Sequence, residues 1–265
     1  MKTGTSLHKM ALASLHDYLI GLQESGVDGL PHEETGGTLH AGIAAPESLP
    51  EKASPADVLP PGGKAVAASP ESLERIRKSL GDCQRCKLGA TRTNLVFGVG
   101  NPHARLVFVG EGPGADEDRQ GEPFVGEAGQ VLNRIIGAMG LQRSDVYICN
   151  VVKCRPPRNR DPEEDEIAAC GPFLLRQLQS IRPEVVVALG KFAAQTLLQT
   201  KEPISRLRGR FRDYHGTPLM PTYHPSYLLR KQGEGDKGAF WDVWDDMVQV
   251  LQVLKLPVPE KSRKK

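Results

Sequence analysis

Four cysteines stand where thiolates can converge on a metal: Cys83 and Cys86 as a CxxC pair, then Cys154 and Cys170. A CxxC supplies two thiolates from one turn. Two more from elsewhere complete a four-thiolate set, which suits zinc or a 4Fe–4S cluster by ligand count. Between the pairs runs GEGPGADEDRQGEPFVG, residues 110–126, a glycine-broken acidic turn that carries Glu111 and Glu117 and closes on Phe124. It lacks the lysine and spacing of a P-loop and the third glycine of a dinucleotide fingerprint, so its content rather than its glycines carries the signal. A later HPSYLLR, residues 224–230, brings a histidine followed by Pro-Ser. Thiols for a metal, carboxylates on a turn and one histidine together point to nucleic-acid chemistry.

These residues need elements to position them. SLERIRKSLGDC, residues 72–83, reads as a helix delivering Cys83. ARLVFVGEG (104–112), VYICNVVKC (146–154), RPEVVVALG (182–190) and a short segment near 218–223 read as strands. Helical periods separate them, with Asp161 and Pro162 predicted to open the helix that carries Cys170. Strands alternating with helices predict an α/β three-layer sandwich, a central, mostly parallel four-stranded sheet flanked by helices. In such sheets the site lies at the carboxyl ends of the strands, where Glu111, Asn150 and His224 fall. Cys149, in mid-strand, reads as a small core residue, and Trp241 and Trp244 read as core anchors of a last helix.

The domain carrying these motifs is expected over residues 72–255. Before it, residues 1–24 place Leu7, Met10, Ala11, Leu15, Leu19 and Leu22 at helical spacing, and 25–71 have the composition of a linker. Residues 256–265 form a basic tail. The net charge of +2 over 265 residues does not announce a nucleic-acid partner, but local charge does. KCRPPRNR (153–160) and RLRGRFR (206–212) each hold four cations. No stretch reaches the roughly 18 apolar residues of a membrane span. An odd cysteine count argues against a secreted disulfide framework, so the expectation is a cytoplasmic protein with reduced thiols and no membrane partner.

GEGPGADEDRQGEPFVGEAG, NVVKCRPPRNRDPEEDEIAAC and HPSYLLR, in that order, resemble the family 4 uracil-DNA glycosylases over roughly residues 78–252. The resemblance implies a 4Fe–4S cluster on Cys83, Cys86, Cys154 and Cys170. It also implies removal of uracil from single- and double-stranded DNA, the first step of base excision repair. Phe124 would stack on the flipped base, and Asn150 would read its edge. Gly112 and Gly114 would offer backbone contacts, and His224 would stabilise the uracil anion. Related enzymes carry an aspartate where Gly112 stands and a methyl-excluding tyrosine where Gly114 stands, so Glu111 and Glu117 become the candidates for orienting water, and Glu117 for rejecting thymine. Arg155, Arg158 and Arg160 would grip phosphates. Ser226, Tyr227, Leu228, Leu229 and Arg230 stand at the family's intercalation loop. The expected partner is uracil-containing DNA, met by a monomer, with a replication or repair partner for the N-terminal segment. Two other classes compete: a cluster-bearing DNA-binding module and a zinc-stabilised phosphohydrolase.

Overall fold

The computed structural model describes residues 71–260. The helix expected over 1–24, the linker from residue 25 to residue 70 and the last five residues of the tail lie outside the described residues. Six strands form one sheet: β1 (Val99–Gly100), β2 (Leu106–Gly110), β3 (Tyr147–Asn150), β4 (Val185–Leu189), β5 (Arg212–Tyr214) and β6 (Thr217–Thr222). Their order is β1-β3-β2-β4-β6-β5. The four inner strands run parallel, as the sequence predicts, and an antiparallel strand closes each edge. Those edge strands, two and three residues long, are too short for a periodic signal. β5 exists because His215 and Gly216 both take positive φ (50° and 82°), the two-residue turn that matches strand twist.

LVFV and VVVAL are continuous apolar runs because both sheet faces are covered. Leu106, Phe108, Ile148, Val187 and Met220 face one core, packed by α3 (Glu127–Ala138), α7 (Pro225–Gly233) and α8 (Gly238–Val253). Val107, Val109, Cys149, Val186 and Leu219 face the other, against α4 (Glu164–Ile181), α5 (Gly190–Leu198) and α6 (Ile204–Leu207). Cys149 is thus the core residue its position suggests. Each fully buried Leu, Val or Phe contributes about 1.5–3 kcal/mol, so the two cores hold the strand ends in register. A third, smaller cluster seats Ile76 and Leu80 of α1 (Leu73–Leu80) against Phe173 of α4. Trp244 is buried and Trp241 is half-buried. The acidic turn holds a helix of its own, α2 (Ala115–Gln120). The α4 helix begins later than expected, at Glu164 with Glu163 as its N-cap, and Asp161 stands outside it.

Candidate active site

Parallel register aligns the carboxyl ends of the inner strands: Gly110 faces Asn150, and Leu189 faces Thr222. A pocket of about 560 Å³ opens there, lined by Glu111, Phe124, Asn150, Lys191 and His224 among others. Its floor depends on missing side chains. A Cβ at Gly110 would clash with Asn150 Oδ1 and lie 2.6 Å from the Phe124 ring. One at Gly190, where φ is +89°, would lie 2.9 Å from His224 Cβ. At Gly112 it would meet Val152 Cγ2 at 2.8 Å, so the close packing there leaves no room for a larger residue.

Asn150 is 1% exposed, and its Oδ1 has no hydrogen-bond partner. A buried acceptor left unpaired is costly, so this one is expected to be used when the pocket is filled. Phe124 stands beside it with φ +54°, an uncommon conformation for a bulky residue. Its ring lies 5.6 Å from the His224 ring, tilted by 36°. Glu117 holds this loop in place. Its Oε1 accepts from the Val125 and Gly126 N–H groups at 2.9 Å each, and its Oε2 accepts from Gly114 N at 3.1 Å. Three backbone donors fix the carboxylate, leaving it little freedom to orient a water. Its Oε2 would lie 2.7 Å from a Cβ at Gly114, so Glu117 fills the space that a side chain at 114 would occupy.

His224 caps α7, and its Nδ1 accepts from Ser226 N at 3.2 Å with Ser226 Oγ at 2.8 Å. An Nδ1 that accepts a backbone N–H carries no proton, so the neutral ring holds its proton on Nε2. Burial pushes the His224 pKa down to about 4, helped by the Arg230 charge and opposed by Glu117. Behind it Thr222 donates to the buried Asp246 at 2.6 Å, and Arg208 donates to the same carboxylate. That network anchors the strand end from which His224 projects.

Glu111 follows β2 directly. Burial pushes its carboxyl up to about 7; Asp161 adds repulsion, and Lys191 partly offsets both. A carboxyl of this pKa is poised to exchange protons near neutrality. Asp161, Lys191 and Phe192 line the pocket too, and the sequence reading missed all three as site residues. Asp161 was assigned to a helix cap. Lys191 and Phe192 sit two and three residues past the β4 end, where the strand-end rule alone was the available signal.

The four cysteines line a small cavity together with Lys153. Arg85 donates to Cys83 Sγ at 3.1 Å, Arg92 to Cys154 Sγ at 3.5 Å, and Lys153 N to Cys170 Sγ at 3.3 Å. Such donors suit thiolate sulfurs. Burial pushes the Cys154 thiol up to about 11, and the Cys170 thiol upward as well, a penalty that a bound metal cation reverses. Among the described residues no three ligating side chains close into a site for a single ion. Four cysteines on one cavity, with hydrogen-bond donors at three sulfurs, fit a thiolate-held metal group by donor chemistry.

The predicted DNA-contacting residues divide. Arg158 is exposed, and half-buried Arg155 donates to Asn159. Arg160 is held in an ion pair: both of its terminal nitrogens bind the fully buried Glu166, at 2.9 and 2.6 Å, while about a third of its side chain stays exposed at the pocket. Leu228 is buried in the core that α3 and α8 share. HPSYLLR is the opening of a helix rather than a free loop. Tyr227 packs against Tyr223 with 4.6 Å between ring centroids and a 39° tilt, Leu229 is half-buried, and Arg230 is exposed at the pocket rim.

With an α/β sheet and a pocket at its strand ends, the chain matches the model of the uracil DNA glycosylase superfamily over residues 97–248. The chain belongs to that superfamily, in its type-4 branch. A type-4 uracil-DNA glycosylase of Thermotoga maritima is 49% identical over 164 residues, 61% of this chain and 85% of the relative. Those of Archaeoglobus fulgidus and Saccharolobus solfataricus are 47% and 46% identical, each over 60% of this chain and over 84% and 78% of their own lengths.

Proposed function

We propose that this protein is a monofunctional uracil-DNA glycosylase that starts base excision repair. The observation that carries the reading is the buried, unpartnered Asn150 Oδ1 in a pocket flanked by Phe124 and a neutral His224. A base inside a duplex is out of reach, so the target nucleotide swings into the pocket and stacks on Phe124. Asn150 Oδ1 accepts from uracil N3–H while its amide nitrogen donates to O4. Cytosine reverses both polarities and leaves two buried groups opposed. Glu117, fixed over Gly114, is the candidate for rejecting the thymine methyl.

Cleavage breaks the bond between C1′ and N1, and its electron pair moves onto the uracil ring. His224 Nε2–H donates to O2 as charge gathers there. No proton need be transferred, because fixed dipoles stabilise the leaving anion. Water adds to C1′ and loses a proton to Glu111, giving an abasic site and free uracil. Arg155, Arg158 and Arg230 contact phosphates, and Tyr227 and Leu229 are the remaining candidates to fill the vacated stack. Cys83, Cys86, Cys154 and Cys170 would hold a 4Fe–4S cluster. When bound, it supplies a rigid cross-link that shapes the arginine-bearing segment 155–160. Four cysteines around one cavity, three of them accepting hydrogen bonds at sulfur, support the thiolate-held reading. No helix among the described residues is long and apolar enough to cross a membrane. We place the protein in the cytoplasm, acting as a monomer.

The test is base release from labelled single- and double-stranded oligonucleotides holding one uracil, with cytosine and thymine controls and alkali to reveal abasic sites. A Glu111→Ala/His224→Ala double variant serves as the control for contaminating enzymes. Uracil-specific cleavage lost in that variant is the expected result. No cleavage by iron-loaded protein would leave a DNA-binding module as the better reading.

A further inference from the structure

One residue lies between the base-reading Asn150 and the cysteine cavity. Lys153 is 1% exposed, and its Nζ donates to the Asn150 carbonyl at 2.7 Å. Its backbone N–H donates to Cys170 Sγ at 3.3 Å, its carbonyl accepts from Val96 N at 2.8 Å, and the residue lines the four-cysteine cavity. The three acids buried among the described residues are engaged elsewhere. Glu166 binds Arg160, Asp246 binds Arg208, and Asp118 accepts from the Thr93 and Asn94 backbone. A buried ammonium without a carboxylate is costly unless another anion lies within reach. The cavity it lines supplies that anion once four thiolates hold a metal cluster. The other cations at the thiols do not reach the pocket: Arg92 pairs with Asp82, and Arg85 binds the Ser79 and Leu80 carbonyls. The segment after β3 is also tied to the acidic turn, through Val151 N to the Gly110 carbonyl and Val152 N to the Glu111 carbonyl.

We propose that Lys153 is a positioning residue: its ammonium balances the charge of the cysteine-held cluster, and its hydrogen bond sets the strand end that presents Asn150 to the base. The inference rests on the reading above, that the cysteines hold a cluster and Asn150 reads uracil. It extends that reading by making cluster retention and base recognition share one cation.

The test uses full-length holoprotein, with Lys153→Met to keep length and remove charge, and Lys153→Arg to restore charge. Iron release to a chelator and kcat/KM on a uracil oligonucleotide are measured in parallel. Lys153→Met should release iron about tenfold faster, and Lys153→Arg should recover most of that loss, the scale of outer-shell partners of metal ligands. Lys153→Met should also lower kcat/KM about tenfold in the wild-type background and have little further effect in an Asn150→Ala background, since a shared route makes the losses non-additive. Iron release unchanged in Lys153→Met, or equally fast in Lys153→Met and Lys153→Arg, overturns the proposal. So does a full tenfold loss on top of Asn150→Ala. If Lys153→Met holds no iron at all, Lys153→Arg decides: a loaded Arg variant supports the charge role, and an empty one refutes it. Wild-type protein lacking iron or uracil cleavage would instead sink the underlying reading.

Discussion

The base pocket and the cysteine cavity share the carboxyl end of β3 but are built by different means. The pocket is finished by the fold itself. Glycines let Asn150, Phe124 and His224 approach closely, and backbone donors lock Glu117 and His224. The cavity gathers thiols from segments with little else in common: the chain after α1, the Cys86 turn, the chain after β3 and the middle of α4. They meet around one small cavity. Pocket substitutions should therefore abolish chemistry while sparing the fold. Cavity substitutions should loosen structure first and lower activity as a consequence.

The largest effect is expected at Asn150. Asn150→Asp keeps the acceptor and removes the donor to O4, and should lower kcat/KM on uracil by about 10³-fold with an unchanged melting temperature. Steady-state kinetics on uracil and cytosine substrates check it, and unchanged discrimination would remove Asn150 from base reading. Cys170→Ser is the counterpart in the cavity. It should lower both iron content and melting temperature, with activity falling about 10–100-fold. Loss of activity with iron and stability intact would collapse the contrast between the two regions.

Two titrating groups of the pocket, His224 and Glu111, sharpen the comparison. His224 stays neutral above about pH 4, so the only limb near neutrality should belong to Glu111 at about 7, with kcat/KM falling as pH drops below it. Glu111→Gln should flatten that limb. The linkage sign also follows. Because the folded-state pKa of Glu111 is raised, the native protein holds a proton that the unfolded chain has released, and stability is lost as pH rises from 4.5 to about 7. Above pH 7 Glu111→Gln should be more stable than wild type by up to ~3 kcal/mol, read by denaturant titration. A destabilised variant would mean that the charged carboxylate has a partner in the fold. The smallest effect is expected from Arg155→Ala/Arg158→Ala, a weakened DNA affinity with the salt slope reduced by about two. An unchanged slope would move the phosphate contacts elsewhere.

Much of this was legible in the sequence because it is local. Apolar runs marked three of the inner strands, a short segment before HPS marked the fourth, and glycines beside carboxylates marked the turn after β2. Ordered motifs carried the resemblance that picked out Asn150, Phe124 and His224. The edge strands escaped because two or three residues show no period and owe their existence to pairing. Asp161 was read as a helix cap because Asp-Pro is a common opening, whereas the capping pair Glu163 and Glu166 won.

The sequence by itself determined the α/β class, the thiol set and the strand-end residues, since residue type and periodicity decide burial and alternation along one chain. Only the tertiary structure decided the partners. Arg160 is bound to buried Glu166, Leu228 belongs to the core, Glu117 holds the Phe124 loop, and Lys191 reaches the field of Glu111 because β4 lies beside β2. Hydrogen bonds and desolvation depend on what lies across space, so composition and spacing alone do not assign them.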